Sequence, residues 1–376
     1  MVNYLPLTVV TLMASAFLSC SRENSIVAPP SEKYSQGRIY FQPTNESGLA
    51  SGLWVVDLDS KDTTLSLVAP GLFYSRISYD RTRIVGWEIV SNIGRVIIFS
   101  PTGSYFYSFG LDNWEHVQFL DPSPDGSKIV VSTAQFVAGS PAVCIIDSHG
   151  SGFRVISDTT RGPDGSPIPA MVPAWSPDGS KIAYLRQYSY TDSTQAVLTV
   201  MSPDGTNSRD LFRAYRLTVP IWSPNGQLIA CFQEPRTIFE PEPFAVRIID
   251  VGSGTSKHFV LVNSIPDPDY KSMAWSLDGT LFCSGASRDS DGVHSVYRIS
   301  MADQLGVTKI ADGFTRSTII CSPDGKYIAI LGNKGKDGFS LYIMKPDGSD
   351  VRLVKTLSSN LDGLAFGFRY GFWISH

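Results

Sequence analysis

The sequence predicts an all-β protein built from repeated antiparallel units, and the main reason is a tetrapeptide that recurs along the chain. Copies of Ser-Pro-Asp-Gly, or close variants of it, stand at residues 123–126, 176–179, 223–226, 276–279 and 322–325, with a degenerate copy at 78–81. The Asp or Asn positions are 45 to 53 residues apart. Such a near-constant period is typical of stacked supersecondary units. A composition with 11% aromatic and 18% charged residues also favours strands.

Each tetrapeptide has the chemistry of a tight turn between two strands. Ser accepts backbone hydrogen bonds, Pro presets its own φ angle, and Gly closes the turn. Apolar residues flank the turn, for example 173–175 before one copy and 181–184 after it. A second turn follows in each unit, as at 203–205, and a short fourth strand such as 352–354 closes the unit. Four antiparallel strands per unit predict a β-propeller in which each unit is one blade.

The predicted second strands of the units indicate seven blades, with six as the alternative. The N-terminal unit starts at its second strand, whereas the C-terminal stretch 364–368 has no partner within its own unit. We therefore expect the C-terminal strand to become the innermost strand of the N-terminal blade, which closes the ring and removes open sheet edges. Residues 370–375 fit either a second strand there or an extension of the first. The second strands are expected at residues 37–41, 82–87, 127–132, 180–185, 227–232, 280–283 and 326–331.

The repeats resemble the PD40, or WD40-like, repeats of the TolB family of periplasmic β-propellers. The shared pattern is Trp-Ser-Pro-Asp-Gly, as at residues 175–179, followed by an apolar strand and then a strand that ends near Asp-Gly. The resemblance covers residues 37–376 and implies a propeller with those boundaries. It also implies partners in the cell envelope, such as peptidoglycan-associated lipoproteins.

The N-terminal residues predict that the chain is exported. Residues 5–19 are almost wholly apolar but shorter than the roughly 20 residues that span a membrane, so 1–19 are predicted to be a signal peptide. Residues 17–20, Phe-Leu-Ser-Cys, resemble the lipobox of bacterial lipoproteins, which implies cleavage before Cys20 and a lipid anchor on it, facing the periplasm or the cell surface. Residues 20–36 are polar and predict a flexible tether. Plain secretion and an uncleaved anchor are the alternatives.

The sequence offers no catalytic constellation, cofactor motif or metal motif. Neither Gly-x-Ser-x-Gly nor His-Glu-x-x-His occurs, and the five His residues form no compact ligand pair. His116 is the one His expected near an end of the central channel. A net charge of −4 without a basic run excludes nucleic acid as an expected partner.

Four cysteines fall inside predicted strands, where we expect them to be buried as small apolar side chains. An exported protein also permits disulfides, and Cys283 with Cys321, in neighbouring blades, is the pair to consider. The four are Cys144, Cys231, Cys283 and Cys321.

A binding site is expected on the face of the propeller that carries the long loops, because long loops on rigid scaffolds tend to carry function. Aromatic and Arg side chains are enriched at binding hot spots, and several stand in these loops. Arg213 and Tyr215 lie beside one of the candidates. The candidate binding residues are Trp114, Arg186, Tyr188, Arg216, Phe239 and Tyr270.

The first functional hypothesis is a non-enzymatic scaffold of the cell envelope that recognises a protein or peptide. The alternative is a glycan-binding or lyase-like propeller, since aromatic loops also suit stacking on sugars; His116 as a metal ligand would favour it. A third hypothesis is a propeller that only spaces other components of an assembly.

Overall fold

The computed structural model is described for sixteen parts of the chain, and every regular element in them is a β-strand. The predicted signal peptide, Cys20 and the predicted tether lie outside these parts. The described residues are 37–43, 52–60, 63–90, 93–110, 117–137, 140–158, 162, 165–189, 194–234, 245–260, 264–265, 272–287, 293–301, 306–334, 338–357 and 368–374.

The strands follow one another in antiparallel order along the chain. Those of the first half are β1 (Arg38–Pro43), β2 (Leu53–Asp57), β3 (Thr64–Ala69), β4 (Leu72–Ile77), β5 (Ile84–Val90), β6 (Ile93–Phe99), β7 (Tyr105–Gly110), β8 (Val117–Pro122), β9 (Lys128–Val137), β10 (Ser140–Asp147), β11 (Arg154–Val155), β12 (Ala170–Trp175), β13 (Ile182–Ser189), β14 (Thr194–Met201) and β15 (Arg209–Ala214). Those of the second half are β16 (Arg216–Leu217), β17 (Ile221–Trp222), β18 (Leu228–Glu234), β19 (Ala245–Asp250), β20 (Ser256–Val260), β21 (Ser264–Ile265), β22 (Ser272–Trp275), β23 (Leu281–Ser287), β24 (Val293–Ile299), β25 (Val307–Cys321), β26 (Ile328–Lys334), β27 (Phe339–Met344), β28 (Arg352–Thr356) and β29 (Phe368–Ile374).

The described strands form six antiparallel sheets, which we number in chain order. Sheets 1 to 4 have four strands each: β29-β1-β2-β3, β4 to β7, β8 to β11, and β12 to β15. In sheet 5, β16 and β17 pair with successive parts of β18, as one interrupted inner strand would. Sheet 6 runs from β21 to β28, and its long strand β25 pairs with β24 through residues 307–315 and with β26 through 314–321. The chain is thus an all-β propeller of four-stranded antiparallel blades.

The two ends of the described chain meet in sheet 1, as the sequence predicts. Strand β29 pairs with β1, with Arg38 opposite Ile374 and Tyr40 opposite Phe372. The described part of the closing strand is Phe368–Ile374, which shares Phe368 with the predicted strand and continues beyond it. Of the predicted strand, residues 364–367 lie outside the described part of the chain. Stretch 370–374 is continuous with Phe368 in one strand, so the extension is confirmed and a second strand there is not.

The core lies between the sheets, because alternate side chains of a strand point to opposite faces. In β13, Ala183 and Leu185 pack towards sheet 5, whereas Ile182 and Tyr184 pack towards sheet 3. Among the described residues, seven such clusters of buried side chains follow one another around the chain. One lies within sheet 6, between its two halves, and another joins the second half of sheet 6 to sheet 1.

The recurring tetrapeptides form the turns that the sequence predicts. In one copy, the Ser176 hydroxyl donates to Asp178 Oδ1 at 2.6 Å and accepts from the Lys181 N–H at 2.9 Å. Partial burial alone would raise the pKa of Asp178, but hydrogen bonds from Ser176 and Ser180 lower it to about 2. Gly179 closes this turn at φ +71°, in the left-handed region that favours glycine. Because strand directions alternate, these turns and the second turns lie at one end of each sheet, here called the short-turn end; the opposite end is the long-loop end.

Candidate binding site

Three of the six candidate binding residues are described, and all lie at the long-loop end. Arg186 and Tyr188 are near the end of β13 in sheet 4, and Arg216 begins β16 in sheet 5. The face of β13 that carries Arg186 and Tyr188 is the one that packs towards sheet 3. The other three, Trp114, Phe239 and Tyr270, lie outside the described residues, as does His116.

The Tyr188 ring lies between two guanidinium groups on one face of sheet 4. The carbon atom Cζ of Arg186 is 5.1 Å from the centroid of this ring, and Cζ of Arg213 is 5.2 Å from it. The strand register produces this contact: Arg186 lies opposite Val197, and Val197 lies opposite Arg213 on the other side. Each cation is close enough for attraction to the ring face. We call Arg186, Tyr188 and Arg213 the arginine–tyrosine cluster.

Polar neighbours hold the cluster in place. Asp210 lies 3.5 Å from Arg186 and also accepts a hydrogen bond from the Thr199 hydroxyl at 2.8 Å. Gln195 accepts a hydrogen bond from Arg213 at 3.3 Å. The Arg186 side chain is only 14% exposed, whereas Arg213 is exposed.

Arg216 is an exposed cation at the long-loop end of sheet 5. It is the first residue of β16, and its atom Cζ lies 6.0 Å from the centroid of the Tyr215 ring. Arg247 of the neighbouring strand β19 contacts the Phe212 ring at 5.0 Å and donates to Gln233 Oε1 at 2.5 Å. The sequence analysis did not single out Arg247. Its only signal there is a charged residue inside an otherwise apolar strand.

A second polar cluster, also missed by the sequence analysis, lies at the inner strands near the short-turn end. Desolvation raises the pKa of Asp121 to about 6, against the opposing effects of the Arg76 charge and a hydrogen bond from the Trp175 N–H. That hydrogen bond measures 2.7 Å and joins sheet 3 to sheet 4. Desolvation and the charge of Asp121 also raise the pKa of Tyr79. The sequence does set Asp121 apart, because it stands two residues before the turn. The other complete repeats have an apolar residue at that position: Ala174, Ile221, Ala274 and Ile320.

The described cysteines carry no disulfide. Cys144, Cys231, Cys283 and Cys321 are unbonded, and the first three are fully buried. Desolvation raises the pKa of the Cys144 and Cys231 thiols to about 12, which is typical of inert structural cysteines. The pairing of Cys283 with Cys321, held open by the sequence analysis, does not occur in the structure.

Among the described residues, no group of three or more His, Cys, Asp or Glu side chains is arranged to hold a metal ion. None of the elements described is a helix with the length and apolar character that crossing a bilayer requires.

Comparison with known proteins identifies the fold. No protein-family model and no curated protein matches the sequence. Among solved structures, TolB from Acinetobacter baumannii shares 15% identity over 90% of this chain and 66% of its own, with a TM-score of 0.49. An oligogalacturonate lyase in complex with manganese shares 11% identity, over 88% of this chain and 89% of its own, with a TM-score of 0.58. The β-propeller domain of the Trilobed protease from Pyrococcus furiosus shares 12% identity, over 86% and 94%, with a TM-score of 0.55.

These identities are low, so what the likenesses show is the fold. The chain spans slightly less than two thirds of the TolB chain that it matches. TolB proteins, a lyase and protease propellers stand side by side among its structural neighbours. The chain is a β-propeller whose structural neighbours are TolB proteins and other propeller proteins.

Proposed function

We propose that the protein is a non-enzymatic binding protein of the cell envelope, which recognises an anionic protein or peptide at the long-loop end of sheets 4 and 5. The observation that carries this proposal is the arginine–tyrosine cluster, Tyr188 between Arg186 and Arg213. A planar guanidinium binds carboxylates through paired hydrogen bonds, and Tyr and Arg dominate binding energy at protein interfaces.

The cluster is suited to binding because its geometry is set before a partner arrives. Arg186 and Tyr188 belong to the paired strand β13, and Arg213 to β15, so the strand register fixes their spacing. A preorganised site loses less side-chain entropy on binding than a flexible one. Arg213 is exposed beside the ring, and Arg216 is a second exposed cation at the long-loop end; both would speed association with an acidic partner.

We also propose that the propeller has seven blades and is exported and held on a membrane through a lipid on Cys20. Seven successive core clusters and the change of partner along β25 support the blade count, because sheet 6 then comprises two blades. The apolar stretch 5–19, followed by Cys20, supports export and anchoring. A crystal structure of the full chain with six sheets around the axis would contradict the count.

The binding proposal can be tested with the full chain as bait for detergent-solubilised envelopes. Tyr188→Ala with Arg213→Ala removes the cluster, and Lys181→Ala is the matched control, because Lys181 is a charged residue at the short-turn end of the same sheet. We expect the natural chain and the control to capture the same envelope protein, and the double variant to bind it at least about tenfold more weakly, the loss of about 1.4 kcal/mol. Equal capture by all three proteins would contradict the proposal.

The second candidate function is recognition of an acidic glycan, and the same cluster favours it. A tyrosine ring can stack on a sugar while neighbouring guanidinium groups bind a sugar carboxylate. Two structural neighbours are oligogalacturonate lyases, one of them in complex with manganese. Calorimetric titration with acidic oligosaccharides, with and without Mn²⁺, distinguishes the candidates. Saturable binding that Tyr188→Ala abolishes, together with shortening of the oligosaccharide, would replace the scaffold proposal by a lyase-like one.

A further inference from the structure

The outer strand of sheet 2 exposes three consecutive aromatic side chains, which the function proposed above does not use. In β7, Tyr105 is 61% exposed, and Phe106 and Tyr107 are each 44% exposed. The Tyr107 ring contacts His149, in the second turn of sheet 3, at a centroid distance of 4.4 Å. We call Tyr105, Phe106 and Tyr107 the aromatic edge.

The aromatic edge differs from most other outer strands of the molecule. No residue of β7 is charged. Among the other described outer strands, β3 is also uncharged, whereas Lys or Arg occurs in each of β11, β15, β20, β25 and β28. Charged side chains on an edge strand prevent association with other surfaces. The edge of sheet 2 lacks this protection, so an apolar surface can approach it at little cost in desolvation.

The arrangement of the rings favours insertion over stacking. The register of β7 against β6 shifts here, with Tyr107 opposite Ile98 and Tyr105 opposite Phe99. Because Ile98 and Phe99 are successive residues of β6, Tyr105 and Tyr107 lie on opposite faces of the sheet. Rings on both sides of an edge make a wedge and not the flat platform on which a sugar stacks. Tyr and Phe rings also suit the boundary between lipid headgroups and acyl chains, where one part of the side chain is apolar and another is wet.

The aromatic edge lies at the end of the molecule where the chain enters it. Gly37 accepts a backbone hydrogen bond from Leu58, next to the second turn of sheet 1, so the chain enters at the short-turn end. In sheet 1, the Tyr40 hydroxyl donates to the carbonyl of Pro101, in the turn that leads into β7. The stretch of chain between Cys20 and Gly37 therefore joins the propeller at the end that carries the aromatic edge.

We propose that the aromatic edge inserts into the headgroup region of a lipid bilayer and orients the propeller on it. The long-loop end, with the arginine–tyrosine cluster, then points away from the membrane towards partners. This inference rests on the membrane attachment proposed above, and adds to it a second contact that fixes orientation.

The test is fluorescence of the full chain attached to phosphatidylethanolamine–phosphatidylglycerol vesicles that contain lipids brominated near the headgroup. Phe106→Trp places a probe in the aromatic edge. Ile89→Trp is the matched control, because Ile89 is 46% exposed and lies near the long-loop end of the same sheet. Spectra of the unsubstituted chain, with its seven tryptophans, are subtracted from both.

We expect the added fluorescence of Phe106→Trp to shift to the blue and to be largely quenched, while that of Ile89→Trp is unchanged. If the chain floats with the vesicles but the two probes behave alike, the insertion is wrong and the attachment stands. If Phe106→Trp shifts to the blue without quenching, a protein surface covers the edge and the insertion is also wrong. If the natural chain does not float with vesicles, both the attachment and the insertion are overturned.

Discussion

Asp121 shows how a single side chain can take over the hydrogen bond that links the inner strands of neighbouring sheets. The indole N–H of Trp222 donates to the carbonyl of Ala174 at 3.0 Å, and that of Trp275 donates to Ile221 at 3.3 Å, so each links its inner strand to the preceding one. At the equivalent junction between sheets 3 and 4, the carboxylate of Asp121 accepts the backbone N–H of Trp175 instead. The junction is therefore held by a group that titrates.

The raised pKa of Asp121 predicts a pH-dependent loss of stability. The folded state holds this proton more tightly than the unfolded state, so its contribution is present below pH 3.8 and is lost as the pH rises to about 6. Two pKa units correspond to about 3 kcal/mol. We expect Asp121→Asn, which cannot ionise, to lack this decline when urea unfolding is followed across the pH range. Parallel pH profiles for the two proteins would show that Asp121 is solvated.

At the scale of the element, the second turns set how closely adjacent layers of strands approach. A Cβ on Gly348 would lie 2.1 Å from the carbonyl oxygen of Ile310, in the other half of sheet 6. A Cβ on Gly205, in sheet 4, would lie 2.8 Å from the carbonyl oxygen of Ile156, next to sheet 3. Both contacts are with backbone atoms, which a side-chain rotation cannot relieve. These glycines are needed for their size as well as for their positive φ.

A pair of glycine substitutions separates these two requirements. Gly348 and Gly279 have φ values of +87° and +83°, but a Cβ on Gly279 meets nothing within 4 Å. We expect Gly279→Ala to cost about 1 kcal/mol for backbone strain. Gly348→Ala adds a clash with backbone and should cost at least about 3 kcal/mol, measured by urea unfolding of the full chain. Equal losses of unfolding free energy for the two variants would mean that the two halves of sheet 6 separate freely at the Gly348 turn.

For the whole molecule, closure of the ring depends on the last strand. In sheet 1, the Phe372 ring stacks on Tyr40 at a centroid distance of 5.2 Å, and Trp373 is 3% exposed within the cluster that joins sheet 6 to sheet 1. Arg81 donates to the carbonyl of Trp373 at 2.8 Å and so links the closing strand to sheet 2. Strand β29 therefore joins three sheets.

Removing β29 should open the ring. A chain that ends before Phe368 leaves the edge of β1 unpaired and exposes the cluster around Ile39 and Phe41. We expect this chain to unfold at lower temperature and to associate through the free edge, as gel filtration with light scattering would show. A synthetic peptide of residues 368–376 should restore the monomer. A truncated chain that stays monomeric with an unchanged melting temperature would contradict closure by this strand.

The sequence predicts the strands and turns well, because apolar alternation and turn residues act over a few neighbouring positions. All seven predicted second strands are present, although they begin one to two residues later than expected and most extend further. Turn chemistry within five residues, as between Ser176 and Lys181, needs no information from elsewhere in the chain. The closing strand continues beyond Phe368 to Ile374, further than the predicted stretch 364–368.

The site was predicted only in part. Arg186 and Tyr188 were selected as binding candidates, but their contact with Arg213 depends on the register of three strands, and a shift by one residue would send each side chain to the other face. Asp121 and the exposed aromatic edge were not selected, because burial and exposure are properties of the assembled sheets.

The sequence by itself determined the all-β class, the repeat and the turn that starts each blade, since these follow from apolar alternation and from Ser, Pro, Asp and Gly at fixed spacing. The tertiary structure alone decided which side chains meet. It placed the Tyr188 ring within reach of two guanidinium groups, left the four described cysteines without a disulfide and left Tyr105 exposed. The physical reason is that these contacts join residues distant in the chain, which register and packing between sheets bring together.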